Sequence, residues 1–172
     1  QRYPDKPFYA VIEDLGASGG YYLAIAAPTI LADPSSLVGS IGVVAGGFGF
    51  TKAIEKLGIE RRVYTAGDNK AFLDPFLQPS EEQKAFWQGI LNSTHQQFIN
   101  RVKESRGSKL SNNPQLFSGL VWNGELALKE GLIDELGSLY SLQKQLKLNQ
   151  VVDYSPEPNP LQFLEKHLGS LA

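Results

Sequence analysis

The sequence predicts an α/β fold with a largely parallel sheet and flanking helices, on three observations. Short apolar runs at residues 7–12, 29–32, 37–44 and 59–65 read as buried strands. Segments with helical spacing separate or follow them, and alternation of strand and helix is the order that builds parallel sheets. The 172 residues, 42% hydrophobic and 20% charged, suffice for one domain with a real core, here residues 1–172 with a tail helix over 155–172.

Taken in order, residues 1–6 are a polar lead. The first strand follows, rich in Phe, Tyr, Val and Ile, and Glu13 and Asp14 close it. Gly16-Ala17-Ser18-Gly19-Gly20 is a strand-to-helix turn, and a small-residue helix over 21–27 runs until Pro28. After the strand at 29–32, Asp33-Pro34-Ser35-Ser36 is a turn. The run 37–44 is a strand interrupted by Gly39 and Gly42, and glycine inside a strand marks close backbone approach. Gly46-Gly47-Phe48-Gly49-Phe50-Thr51-Lys52 resembles a phosphate loop only superficially, because no Gly-Lys-Ser/Thr ending is present. A helix over 51–57 ends at Gly58, and the strand at 59–65 leads into a loop that holds Lys70 among apolar residues.

Ser80 is the N-cap of a long helix with Glu81 and Glu82 in its first turn. Phe86, Trp87, Ile90, Leu91, Thr94, Phe98 and Val102 recur at helical spacing along it, to an end near Gly107. His95 on this helix reads as a surface or packing residue. Asn123 caps a short helix over 124–130 that Gly131 ends. Residues 132–137 form a strand or edge segment, and Ser138 starts a helix to about Leu146. In the tail, Leu161, Leu164, Leu168 and Leu171 make an amphipathic stripe suited to docking.

Composition excludes several function classes. A net charge of −2 gives no electrostatic case for nucleic-acid binding. Cysteine is absent and only His95 and His167 are present, so neither thiolate chemistry nor a histidine–cysteine zinc site is expected, and no cofactor is implied. No run of about 18 apolar residues spans a membrane. Methionine is absent even at position 1, so the chain is expected to be cut from something longer.

The chemistry concentrates at Ser18. Glycines on both sides leave its hydroxyl uncrowded, and the following helix offers unpaired N–H groups that can hold an oxyanion. A serine hydroxyl needs a base to act as a nucleophile. Residues 16–20 fit the Gly-x-Ser-x-Gly elbow, for which His167 with Asp134 or Asp153 supplies the right chain order. The other candidate base is a lysine kept neutral by its surroundings, and Lys70, flanked by Ala71, Phe72 and Leu73, fits best.

Ala17-Ser18-Gly19-Gly20-Tyr21-Tyr22-Leu23-Ala24, Gly39-Ser40-Ile41-Gly42-Val43, Thr65-Ala66-Gly67 with Lys70, Asp74-Pro75-Phe76, Ser80-Glu81-Glu82 and Gly131-Leu132-Ile133-Asp134-Glu135 occur in that order. This ordered set resembles the signal peptide peptidase A and SohB family of serine–lysine peptidases. The resemblance implies a Clp protease/crotonase-type fold. It implies Ser18 as nucleophile, Lys70 as general base at a separation similar to the family's, Ser40 as the residue that orients the lysine, and the Gly19 N–H as an oxyanion donor. A peptide substrate would pair along Gly39, Ile41 and Gly42. The resemblance also implies a homo-oligomer whose active sites are shared between subunits, and an inner-membrane association on the extracytoplasmic side through an N-terminal anchor. The family's upstream Ser-Pro-Gly-Gly segment, source of the second oxyanion donor, and its anchor lie outside these residues. The chain is therefore expected to hold the C-terminal part of the catalytic fold. Two other readings are an esterase with a histidine base and a non-catalytic peptide-binding or assembly subunit.

Overall fold

A computed structural model describes residues 6–155. In chain order it holds β1 (Tyr9–Ile12), β2 (Leu15–Ala17), α1 (Gly19–Ala24), β3 (Thr29–Ala32), β4 (Leu37–Gly39), α2 (Thr51–Lys56), α3 (Glu81–Arg106), β5 (Val121–Asn123), α4 (Gly124–Lys129), β6 (Glu135–Leu136) and α5 (Leu139–Gln145). The strands form two three-stranded sheets, ordered β1-β3-β6 and β2-β4-β5. The pairs β1–β3, β2–β4 and β3–β6 are parallel, and β4–β5 is antiparallel. The fold class is thus the largely parallel α/β one that the sequence predicts. Contacts divide the chain into a first unit running to Leu139 and a second beginning at Tyr140. The described part of the second unit contains nearly all of α5.

Within the first unit, two strands bend side by side. The chain leaves β1 through Glu13 and Asp14 into β2, and leaves β3 through 33–36 into β4. Pairing resumes after the bend with a shift of two residues, Ile12 lying opposite Ala32 before it and Leu15 opposite Leu37 after it, because the turn at 33–36 is two residues longer than the link at 13–14. Ser36 ties this corner. It is buried, and its hydroxyl lies 2.8 Å from the carbonyls of both Ile12 and Glu13. The Asp33 N–H donates to Ile12 O at 3.0 Å and the Leu37 N–H to Asp14 O at 2.8 Å. Backbone groups that the bend would orphan are satisfied in this way.

The core gathers α1, β3, β4 and the C-terminal end of α3, with Ile30, Ala32, Val38, Ile41, Val102, Ala127 and Leu132 fully buried. Tyr21 of α1 is fully buried as well, and its hydroxyl donates to Leu132 O at 2.6 Å. Burial pushes the Tyr21 phenol well above its ordinary pKa. Tyr21→Phe leaves the Leu132 carbonyl without that donor and is expected to cost about 1–3 kcal/mol, measured by urea unfolding.

Helix α3 has 26 residues, so it is about 39 Å long. Ser80 and Gln83 close a reciprocal capping box at its start, as the Ser80 cap and the acidic first turn anticipate. Only its far end, at Phe98, Val102 and Arg106, is buried. The near end runs outward, leaving Phe86 64% exposed. Against it lies the segment that carries Lys70: Phe72 packs edge-on to Trp87 with ring centres 5.7 Å apart, and Gln83 Nε2 donates to Asn69 Oδ1 at 2.9 Å. Phe50 stacks on Phe48 and Phe76 and ties α2 into the same segment.

Three sequence expectations are corrected. Residues 59–65 form no strand. The stretch is largely exposed, and a strand requires a partner edge that none of the described residues supplies. The strand expected over 37–44 stops at Gly39, because φ is +97° at Gly39 and +50° at Ser40. The helix expected over 21–27 begins earlier, at Gly19, and tightens after Ala24 through Leu23 O and Ala24 O before Pro28. The tail helix expected over 155–172, including His167, and most of the polar lead lie outside the described residues.

Candidate active site

Ser18 stands where β2 passes into α1, with φ 51° and ψ −120°. Positive φ is costly for a residue with a Cβ, about 1–3 kcal/mol, and is kept only where the surroundings hold it. The hold is visible: the Ser18 N–H donates to Gly39 O at 2.7 Å, and its carbonyl accepts from the Tyr22 N–H at 2.9 Å. Ser18 occupies the N-cap position of α1, but its hydroxyl makes no capping bond, which leaves the oxygen for other chemistry. The neighbouring glycines differ in what they do. A Cβ at Gly16 would lie 2.5 Å from Ile12 Cδ1, so the turn needs glycine there to fit over β1. A Cβ at Gly19 would meet nothing within 4 Å, so the space before the first N–H groups of α1 is open.

Ser40 is held in the same way. Among the described residues, three other than glycine have positive φ: Ser18, Ser40 and Lys147. Two of the three are therefore the serines singled out from the sequence. Gly39 leads into Ser40 and cannot carry a side chain, since a Cβ would come 2.8 Å from Trp122 Cδ1. The Ser40 N–H donates to Leu120 O at 2.8 Å, and the Gly42 N–H returns to Ser40 O at 2.9 Å. Ile41 points inward and is fully buried, so of the three residues expected to border the substrate only Gly42 faces the opening.

A cleft of about 580 Å³ joins these parts. Ser18, Gly19, Ser40 and Gly42 line it, together with the apolar Tyr22, Val43, Val44 and Phe98 and with Thr94, Gln97, Ser118 and Gly119. Tyr22 and Phe98 meet edge-to-face at 5.1 Å. No lysine, histidine or carboxylate of the described residues lines the cleft. Lys70 is exposed on its loop, where its own N–H bonds Gly67 O at 3.1 Å, and it is not among the lining residues. The structure brings Ser18, Gly19, Ser40 and Gly42 together and leaves Lys70 apart from them within one chain.

Sequence reasoning missed Tyr22, Phe98, Ser118 and Gly119 as cleft residues, and with them Val44, Thr94 and Gln97. Tyr22 carried a readable signal, because position i+4 from Ser18 lies on the same helix face. Phe98 is part of the apolar stripe of α3, and nothing local separates its cleft edge from its core edge. Ser118 and Gly119 reach the site through the pairing of β5 with β4, which no local pattern announces.

The acids proposed to back a histidine are otherwise engaged. Asp134 accepts from Arg106 Nη1 at 2.8 Å, Arg106 Nη2 at 3.0 Å, Lys109 Nζ at 2.5 Å and the Ile30 N–H at 2.8 Å. Burial alone would raise the Asp134 carboxyl, but these donors together hold it well below the usual carboxylate range. Asp153 accepts from the Ser155 N–H at 2.7 Å. His95 lies half-buried on α3 with Nε2 3.0 Å from Ile41 O. Among the described residues no group of three or more His, Asp or Glu could hold a metal ion, and no helix is long and apolar enough to cross a membrane.

Known proteins place this arrangement. The description "Peptidase family S49" matches residues 1–153. A protein of Brucella melitensis named Na(+)/H(+) antiporter NhaA is 49% identical over 140 residues, which is 81% of this chain and 19% of that protein. Serine protease SPPA, chloroplastic, of Arabidopsis thaliana is 34% identical over 135 residues, 78% of this chain and 20% of that protein. The chain thus spans about a fifth of the length of these relatives. Among solved structures, a membrane-bound stomatin-specific protease in complex with a substrate peptide aligns with a TM-score of 0.45 at 15% identity, covering 95% of this chain and 70% of that one. With the match running through both strained serines and the whole of α3, the chain belongs to peptidase family S49.

Proposed function

We propose that this chain is the catalytic region of a serine endopeptidase that cuts extended apolar peptides, signal peptides among them. The observation that supports it most is Ser18: a serine at positive φ, on a helix start, with its hydroxyl free of the cap and facing an open cleft. In this reading the Ser18 Oγ attacks the substrate carbonyl carbon, and its proton passes to a neutral lysine amine. The Gly19 N–H helps to hold the oxyanion. The same amine then protonates the leaving nitrogen, and water later releases the acyl group from Ser18.

Lys70 is assigned as that base and Ser40 as the hydroxyl that orients its amine. Because Lys70 does not line the cleft of its own chain, the reading draws it from a neighbouring copy, so that the working enzyme is a homo-oligomer with shared sites. The apolar walls at Tyr22, Val43, Val44 and Phe98 suit small or hydrophobic side chains, and the unpaired backbone after Gly42 suits an extended peptide. Membrane association on the extracytoplasmic side goes with such substrates.

The test is labelling of the full-length protein by a fluorophosphonate probe across pH. Labelling should map to Ser18, rise with pH, and vanish in Lys70→Ala. Labelling that survives Lys70→Ala would remove the lysine from the mechanism and turn attention to His167. Absence of labelling in the wild type would favour a peptide-binding subunit without turnover.

A further inference from the structure

Ser40 presents a physical problem. A non-glycine residue at φ 50° persists only where surrounding contacts over-determine it. Two ties are local or from the neighbouring strand: the Ser40 N–H on Leu120 O, and the Gly42 N–H on Ser40 O. Beyond them, from Val43 to Gly49, the backbone makes no backbone hydrogen bond among the described residues. The cleft wall at Val43 and Val44 therefore begins at the point where the chain comes loose.

The third tie comes from α3. His95 Nε2 lies 3.0 Å from Ile41 O, across 54 positions of sequence. A carbonyl can only accept, so Nε2 carries the proton and donates. Thr94, Gln97 and Phe98, on the same stretch of helix, line the cleft. His95 is thus built into the support of the cleft, and the carbonyl it holds is one residue from the strained serine and two from the free-running stretch that begins at Val43.

We infer that His95 is a positioning residue of this site: its Nε2–H clamps the Ile41 carbonyl and so fixes both the Ser40 conformation and the register of the Gly42-Val43-Val44 wall. Its effect on turnover rests on the reading proposed above; its effect on the backbone does not.

The experiment compares full-length wild type, His95→Phe and His95→Gln. Phenylalanine keeps a ring and removes the donor, whereas the glutamine amide can donate from a similar reach. Hydrogen exchange reads the clamp directly. In His95→Phe the Ser40 and Gly42 amides should exchange about tenfold faster, with the Ile30 and Val102 amides unchanged, and His95→Gln should restore most of the protection. Peptide kcat/KM should fall about tenfold in His95→Phe and recover in His95→Gln. Unchanged exchange at Ser40 and Gly42 in His95→Phe overturns the inference. So does a loss in His95→Gln as large as in His95→Phe, which would assign the position to packing. Should His95→Phe fail to fold, His95→Leu serves the same comparison. A wild type without turnover would sink the proposed peptidase reading, and the exchange data would still decide the clamp.

Discussion

Full-length Ser18→Ala and full-length Lys70→Ala are each expected to lose peptide hydrolysis by a factor of at least about 10³, and a mixture of the two to regain part of it. In the proposed reading the individual losses follow from removing the nucleophile or its base. The recovery follows from the sharing proposed above: Lys70 is absent from the lining of its own chain's cleft, and an intact Ser18 on one copy would be served by an intact Lys70 on another. In a statistical mixture about a quarter of such head-to-tail interfaces pair the two intact residues, so activity near that fraction of wild type is expected after subunit exchange. Steady-state hydrolysis of a fluorogenic peptide before and after mixing provides the measurement. A mixture as inactive as its components would mean that both residues act within one chain; a single variant that keeps its activity would remove that residue from the mechanism.

Arg106→Leu is expected to destabilise the fold by about 3–5 kcal/mol. The Arg106 side chain is 1% exposed and that of Asp134 14%, and the guanidinium grips the carboxylate with two nitrogens while its Nε donates to Gly131 O at 2.9 Å. Removing it leaves a partly buried carboxylate with only Lys109 and one backbone N–H. The pH dependence has a definite sign. The Asp134 pKa is depressed in the folded state, so its contribution is present above the unfolded carboxylate range and fades as pH falls toward the lower folded value. Urea midpoints from pH 7 down to pH 3 should therefore converge for wild type and Arg106→Leu. Parallel curves would show that the pair adds nothing beyond packing.

How much of this was legible depends on whether a feature is written locally. The elbow at 16–20 is local: an apolar run, then glycines bracketing a serine, permits few other conformations. The start of α3 is local too, since Ser80 and Gln83 cap each other. Gly39 gave a true signal of close approach, with Trp122 as the neighbour. The positive φ of Ser40 is not written anywhere in Gly39-Ser40-Ile41-Gly42. It is imposed by Leu120 and His95, which are distant in sequence. Residues 59–65 have the composition of a strand, but composition cannot supply a partner, and among the described residues none pairs with them. The cleft was legible at Ser18 and illegible at its walls, because walls are made where remote elements meet.

The length of α3 has a mechanical consequence. One end is rooted in the core at Val102 and Arg106, and the other carries the Lys70 segment through Gln83 and Trp87. The helix is therefore a lever, and over about 39 Å a tilt of about 2° at the root swings the tip by about 1.4 Å. Misplacement of a reacting group by about 1 Å can cost about 100-fold in rate. If Lys70 serves a neighbouring copy as proposed, the angular tolerance of the Arg106–Asp134 socket sets how accurately it is presented there. A substitution in that socket that leaves the fold intact should still be felt at a serine it never touches.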